Sequence, residues 1–164
     1  GKMLALFRGV PIVVRVARQA ALAVGTERVV VVTDHPRIAD AVDSHGFKVE
    51  CENVECSSGT ARVAWMTKHR NIVDTNVKYI VNVQGDEPMI DPEHIQRVLN
   101  RLRTESQSKH ENLEKCQIAT LATPIRSISD LFDENCVKVV RDRNNRAMYF
   151  SRSPIPHIFG SFES

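Results

Sequence analysis

The feature that most constrains the fold of this chain is a run of four valines at residues 29–32, which a threonine and an aspartate follow. Valine is β-branched, and β-branched side chains favour extended backbone. A continuous apolar run, as opposed to an alternating one, is typical of a strand that is covered on both faces of a parallel sheet. The run therefore predicts an interior strand, with helices packed on both sides of its sheet.

Amphipathic segments with helix-start and helix-stop residues alternate with further strand-like segments. Pro11 and Gly25, for example, suit the first turn and the end of a helix. The predicted helices span residues 11–25, 38–46, 58–69 and 91–104. The other predicted strands span residues 47–51, 79–83, 117–123, 136–140 and 148–150. This alternation predicts an α/β fold with three layers and a mixed, mostly parallel sheet.

Length, charge and cysteine content exclude several classes of protein. The 164 residues suit a single domain over residues 1–164. No apolar run is longer than five residues, whereas a membrane helix needs roughly 20, so we expect no membrane partner. The net charge of +2 gives no strong field for nucleic acid, so we expect no nucleic-acid partner. Four scattered cysteines indicate reduced cytoplasmic thiols rather than a disulfide framework or a zinc site: Cys51, Cys56, Cys116 and Cys136.

Polar segments follow the predicted strands at residues 33–35, 56–60 and 84–88. Ligands of open α/β sheets bind in the crevice at the carboxyl ends of the strands. In the third segment Gly85 permits a sharp turn, which presents Asp86 at the sheet edge. A carboxylate there can hold Mg²⁺ together with substrate phosphates. The alternative is a tight turn with two solvated acids.

Other candidate residues each have a functional and a structural interpretation. The segment Ser58-Gly59-Thr60 is predicted to begin a helix. In the functional interpretation its free backbone N–H groups bind a base or a phosphate. In the structural interpretation the serine caps the helix. For Asp34-His35 we favour a capping role. Arg152 follows the last predicted strand and suits a carboxylate or phosphate, or else lies on the surface. Lys2 is either a phosphate contact or part of a frayed terminus. None of these signals alone identifies a reaction.

Taken in order along the chain, the motifs resemble one family. They are Gly-Lys-Met-Leu-Ala at 1–5, Thr-Asp-His at 33–35, Ser-Gly-Thr-Ala-Arg at 58–62, Val-Asn-Val-Gln-Gly-Asp-Glu-Pro-Met-Ile at 81–90 and Tyr-Phe-Ser-Arg at 149–152. The chain is similar to the 3-deoxy-manno-octulosonate cytidylyltransferases, or CMP-Kdo synthetases, over almost its whole length. The decapeptide at 81–90 is the most specific part of this resemblance.

The resemblance implies a Rossmann-like nucleotide-diphospho-sugar transferase fold and a cytoplasmic homodimer. It also implies an enzyme that couples CTP to the sugar acid 3-deoxy-D-manno-octulosonate (Kdo), with Mg²⁺ as cofactor, giving CMP-Kdo and pyrophosphate for lipopolysaccharide biosynthesis. The catalytic residues that it implies are Lys2, Asp86 and Arg152, with Asp86 as the metal ligand. The implied nucleotide-binding residues are Lys2, Ser58, Gly59, Thr60, Arg62 and Gln84.

The chain also departs from the family pattern. Met3 stands where the family usually has proline, Cys56 where it often has histidine, and Ala61 where an acid is usual. Residues 105–115 are almost entirely polar and resemble an inserted surface loop. The family's opening strand and phosphate loop lie before residue 1, and a second metal-binding aspartate lies after residue 164. We therefore expect a chain truncated at both ends, with little activity of its own.

Two other functions fit the same sequence. One is a cytidylyltransferase for another sugar acid, because the region that selects the acid lies in the C-terminal part of the family. The other is a non-catalytic nucleotide-binding module. A dinucleotide-dependent oxidoreductase is disfavoured, because no G-x-G-x-x-G motif follows a predicted strand.

Overall fold

The computed structural model describes residues 1–70, 72, 74, 76–107 and 116–156. They belong to two compact units, Gly1–Ala119 and Thr120–Ser164. The single domain expected over residues 1–164 stays a prediction.

The helices of the first unit confirm the amphipathic pattern. They are α1 (Ile12–Val24), α2 (Pro36–Asp43), α3 (Gly59–His69) and α4 (Pro92–Gln107), with short 3-10 helices at Lys2–Leu4 and Thr26–Arg28. Gly25 ends α1 with a φ of +90°, and its N–H donates to Ala21 O at 2.8 Å. Glycine suits this position because a positive φ is strained for residues with a Cβ.

Helix α4 extends beyond its predicted end at residue 104. Its last turn includes Glu105, which pairs with Arg101 one turn earlier at 2.6 Å. This i,i+4 pair supports helical backbone where the polar composition favoured a loop. The loop prediction is therefore wrong for residues 105–107, and residues 108–115 lie outside the described part of the chain.

The valine run forms β3 (Val30–Thr33), which pairs in parallel with β4 (Lys48–Cys51). The register runs from Val30 opposite Lys48 to Thr33 opposite Cys51, and α2 is the crossover between the two strands. A short antiparallel pair, β1 (Leu6–Phe7) and β2 (Val10–Pro11), precedes α1. The strand predicted from the valine run and the predicted strand at 47–51 are therefore confirmed.

Two other predicted strands are wrong. Residues 79–83 and 117–123 join none of the sheets that the described residues form, which are two-stranded. In the first segment Tyr79, Val81 and Val83 pack against the core, whereas Ile80 is exposed. The segment thus covers the core with alternate side chains. A strand also needs a backbone neighbour in register, and apolar side chains do not specify one.

The core of the first unit lies between the helices and the parallel strand pair. It contains residues from α1, α2 and α4 together with those that flank β3 and β4: Val13, Val14, Ala17, Ala20, Val29, Val42, Phe47, Ile95 and Leu99. Helix α1 packs against α4, and α3 packs against β3. This arrangement fixes the start of α3 beside the carboxyl end of β3, which is where the polar segments lie.

The second unit contains α5 (Ile128–Phe132) and an antiparallel hairpin of β5 (Lys138–Arg141) and β6 (Ala147–Ser151). These strands confirm the predictions at 136–140 and 148–150. Asp142 shapes the turn, since its carboxylate accepts the backbone N–H groups of Asn144 and Arg146, each at 2.8 Å. These bonds, above all the one from Arg146, lower the pKa of Asp142.

All four cysteines are free thiols. Among the helices that the structure describes, none is both long and apolar enough to span a bilayer.

We predict that Met66→Ala destabilises the first unit, because Met66 is fully buried in α3 (0% exposed). Truncation of a buried methionine leaves a cavity and costs about 2–5 kcal/mol of unfolding free energy. Leu22→Ala is the matched control, because Leu22 is 71% exposed on α1 and should change stability by less than about 0.5 kcal/mol. Urea unfolding followed by circular dichroism measures both values. Equal stability of the two variants would contradict the packing described for α3.

Candidate active site

The fold brings the three polar segments and Lys2 into one connected cluster within the first unit. Residues 33–35 leave β3, residues 56–60 lead into α3, and residues 84–88 follow the segment that packs on the core. Side-chain contacts link Asp34 to α3, and α3 to the segment at 81–90. Residues 33–35 lie at the carboxyl end of the parallel pair, as expected, whereas residues 84–88 follow a segment that joins none of the described sheets.

The first turn of α3 is capped by its own sequence. Ser58 precedes the helix with extended backbone, and its Oγ accepts the Ala61 N–H at 3.1 Å. This contact satisfies one of the backbone donors that a helix start leaves open. The capping interpretation of Ser58 is thereby confirmed. Its role in binding a nucleotide stays a prediction.

Arg62, also in the first turn of α3, forms an ion pair with Asp34 at the end of β3. Its Nη2 lies 2.6 Å from Asp34 Oδ2, and its side chain is only 14% exposed. The other terminal nitrogen, Nη1, is buried without a hydrogen-bond partner in the described part of the chain. The pair ties the helix start to the strand end.

The capping role that the sequence suggested for Asp34-His35 is therefore only half right. His35 Nδ1 accepts the Arg37 N–H at 3.2 Å and caps α2. Asp34 instead binds Arg62. A short polar side chain next to a helix start predicts a cap. In the structure the carboxylate of Asp34 is instead bound by the guanidinium of Arg62 in α3.

A line of polar side chains connects α3 to the segment at 81–90. Asn82 Nδ2 donates to Thr60 Oγ1 at 2.9 Å, and Gln84 Nε2 donates to Asn82 Oδ1 at 3.2 Å. Gln84 Oε1 lies close to Gly59, at 3.4 Å from the position that a Cβ there would occupy. The predicted residues Gly59, Thr60 and Gln84 are thus adjacent, and Asn82 joins two of them.

Lys2 and Asp86 form the charged end of the cluster. Lys2 Nζ donates to Asp86 Oδ2 at 2.9 Å, and both side chains are exposed (69% and 41%). The hydrogen bond and the positive charge of Lys2 lower the pKa of Asp86. Gly85 lies against Met3, whose Sδ is 3.3 Å from where a Cβ at residue 85 would lie. The first residues of the chain are therefore held against the 84–88 turn.

The carboxylate of Asp86 is the group in this cluster suited to a metal ion. In the described part of the chain no three His, Cys, Asp or Glu side chains are grouped to hold one. Mg²⁺ is commonly held by only one or two carboxylates, with substrate phosphates and water completing its shell. An exposed carboxylate at this edge of the cluster fits that mode of binding.

Arg152 lies in the second unit, directly after β6. Its Nη1 donates to the backbone oxygen of Glu134 at 2.6 Å, which fixes the side chain within that unit. A catalytic role for Arg152 stays a prediction.

Sequence reasoning missed two residues of the cluster. Asp34 was assigned to a cap, and Asn82 received no role although it belongs to the decapeptide at 81–90. The spacing of Asn82 and Gln84, two residues apart in an extended segment, is the signal that both side chains point to one face.

An α/β unit whose polar loops gather at the carboxyl end of a parallel strand pair is typical of nucleotide-binding proteins. The family profile described as cytidylyltransferase matches residues 1–163. The chain therefore belongs to the cytidylyltransferase family.

The similar proteins carry more specific names. The 3-deoxy-manno-octulosonate cytidylyltransferases of Erwinia tasmaniensis and Alteromonas mediterranea are 44% and 42% identical to it, each over 95% of this chain. The chain spans 58% of the length of each of these relatives. These matches confirm the resemblance inferred from the motifs.

A solved structure supports the fold. The chain matches a CMP:2-keto-3-deoxy-manno-octonic acid synthetase complexed with CTP, with a TM-score of 0.73 and 30% sequence identity. The match covers 100% of this chain and 62% of that structure's chain. The predicted α/β nucleotidyltransferase fold class is confirmed by this match.

We predict that Lys2→Met raises the pKa of Asp86 towards its ordinary value, because Lys2 supplies both the hydrogen bond and the charge that lower it. In the wild type, stability from this pair is fully present above the ordinary aspartate pKa, and it is lost as the pH falls through the lowered value. An NMR titration of the Asp86 carboxyl carbon measures the shift. Lys68→Met, at an exposed position of α3, should leave the Asp86 titration unchanged. An unchanged Asp86 pKa in Lys2→Met would contradict the pairing.

We predict that Asp34→Asn destabilises the first unit by about 1–3 kcal/mol, because it removes the charged partner of a mostly buried guanidinium. Arg62→Met removes the positive charge of the pair. The double variant should lose less unfolding free energy than the sum of the losses in the two single variants. A double-mutant cycle from urea unfolding measures this coupling. Strictly additive costs would mean that the two side chains do not interact.

Proposed function

We propose that this chain is the nucleotide-binding part of an enzyme that transfers a cytidylyl group from CTP to the sugar acid Kdo, releasing pyrophosphate. The observation that carries the proposal is the Lys2–Asp86 pair. Asp86 belongs to the 81–90 segment, which also makes the polar contacts to α3. The family and the names of the similar proteins support this substrate pair.

The reaction joins two anions. The anomeric hydroxyl of the sugar acid attacks the α-phosphorus, a new O–P bond forms, and the bond to the bridging oxygen of pyrophosphate breaks as the hydroxyl loses its proton. Such phosphoryl transfers depend on positioning and charge neutralisation rather than on covalent help from the protein. The charged groups of the cluster therefore matter most.

Lys2 would contact the phosphates with its ammonium, and Asp86 would hold the divalent cation. A bound Mg²⁺ would neutralise phosphate charge. The hydrogen bond and the charge of Lys2 lower the pKa of Asp86, so this carboxylate is ionised at neutral pH.

The nucleoside would lie against the start of α3 and the segment that follows residue 83. Ser58, Gly59 and Thr60 form that helix start, with Gln84 beside Gly59. Arg62 would hold the start of α3 in place beneath the nucleoside, since its guanidinium is mostly buried against Asp34. Arg152 is proposed for the sugar-acid side by resemblance. The homodimer, the cytoplasmic location and the role in lipopolysaccharide biosynthesis rest on the same resemblance.

The test is a calorimetric titration of the chain with CTP, with and without Mg²⁺. We expect binding that depends on Mg²⁺ and that Asp86→Asn weakens by at least about tenfold, as the loss of a charged contact would. Asp43→Asn is the matched control, because Asp43 is an exposed carboxylate at the end of α2.

The outcomes separate the candidate functions. No binding at millimolar CTP would overturn the proposal. CTP binding with formation of CMP-Kdo from added Kdo would establish the transferase in this chain. CTP binding without product would support the nucleotide-binding module, and product only with a different acid would support a cytidylyltransferase for that acid.

A further inference from the structure

We propose that Asn82 is a positioning residue that makes the site prefer cytosine to uracil, by fixing the orientation of the Gln84 amide. This inference rests on the proposed function, since it deepens the role of the same nucleotide site. It concerns a residue that touches other residues of the site rather than the reacting atoms.

The contacts of Asn82 use both ends of its amide. The Nδ2 group donates to Thr60 Oγ1 at 2.9 Å, and Oδ1 accepts from Gln84 Nε2 at 3.2 Å. An asparagine amide has one donor end and one acceptor end. In the structure Thr60 Oγ1 accepts from the donor end, and the acceptor end faces Gln84.

This arrangement decides which end of the Gln84 amide is offered to a ligand. One N–H of the Nε2 group donates to Asn82, so this end of the amide is turned towards Asn82 and Oε1 towards the opposite side. Gln84 is exposed, and Oε1 lies beside Gly59, where the missing Cβ leaves space at the start of α3. The side chain therefore presents a hydrogen-bond acceptor at the proposed nucleotide site.

An acceptor at this position discriminates between the two pyrimidines. Cytosine carries an exocyclic amine, a donor, at the ring position where uracil carries a carbonyl oxygen, an acceptor. Gln84 Oε1 can accept from the amine of cytosine but faces the carbonyl of uracil as a second acceptor. A reversed Gln84 amide would have the opposite preference, so the bond to Asn82 is what selects the base.

Variants of Asn82 distinguish an effect on the orientation of the Gln84 amide from a loss of side-chain packing. In Asn82→Ala the Gln84 amide is free to rotate, and the ratio of the UTP Kd to the CTP Kd should fall by about five- to tenfold, the equivalent of one hydrogen bond. In Asn82→Asp the carboxylate only accepts, so Gln84 must still turn Nε2 towards it and the Thr60 hydroxyl can donate to it. That variant should bind both nucleotides more weakly, because of its added negative charge, yet keep the wild-type ratio.

The measurement is calorimetry of the chain with CTP and with UTP in the same Mg²⁺ buffer. Asn100→Ala, on the exposed side of α4, is the control and should keep the wild-type ratio. Circular dichroism and the thermal midpoint establish that each variant is folded. Thr60→Val, which removes the acceptor for Asn82, is a second variant and should also lower the ratio.

The outcomes distinguish this inference from the proposed function. A wild type that binds no CTP overturns both. A wild type that prefers CTP, together with folded Asn82→Ala and Thr60→Val variants of unchanged ratio, overturns the role of Asn82 alone. Equal loss of preference in Asn82→Ala and Asn82→Asp also overturns it, since orientation by an acceptor would then not be the cause.

Discussion

The parallel ladder between β3 and β4 is the constraint on which the candidate site depends. Four residues of each strand are in register, and the crossover through α2 returns the chain to the same edge. The ladder fixes where β3 ends, and α3 packs against that strand. Asp34, the first residue after β3, consequently lies within reach of Arg62 in α3.

The contacts that assemble the site join segments that are far apart in the sequence. Lys2 and Asp86 are separated by 84 residues, and Asn82 and Thr60 by 22. Ion pairs as exposed as Lys2–Asp86 add little stability. The core formed by the helices and the parallel strands must therefore hold these segments in place, and the polar contacts then orient individual side chains. The value of the exposed Lys2–Asp86 and Asn82–Thr60 contacts lies in geometry rather than in free energy of unfolding.

Most predictions that depend on residues close in the sequence were confirmed, whereas several features that depend on contacts between distant segments were wrongly predicted or missed. Helices α1 and α3 were predicted because apolar spacing, Gly25 and Ser58 are local signals. The segment at 79–83 was wrongly predicted as a paired strand, because pairing depends on a neighbour that a single apolar segment does not specify. Asn82 was missed for the same reason, since its importance comes from Thr60 and Gln84 on either side of it.

By itself, the sequence determined helices α1 to α4, the parallel valine strand, the family and most of the candidate site residues, because propensities, caps and motifs depend on residues that are close in the chain. Only the tertiary structure decided that Asp34 binds Arg62, that Asn82 links Thr60 to Gln84 and that Lys2 lowers the pKa of Asp86. Those contacts exist because packing of the core brings distant segments to within hydrogen-bond distance, and a linear pattern does not encode that distance.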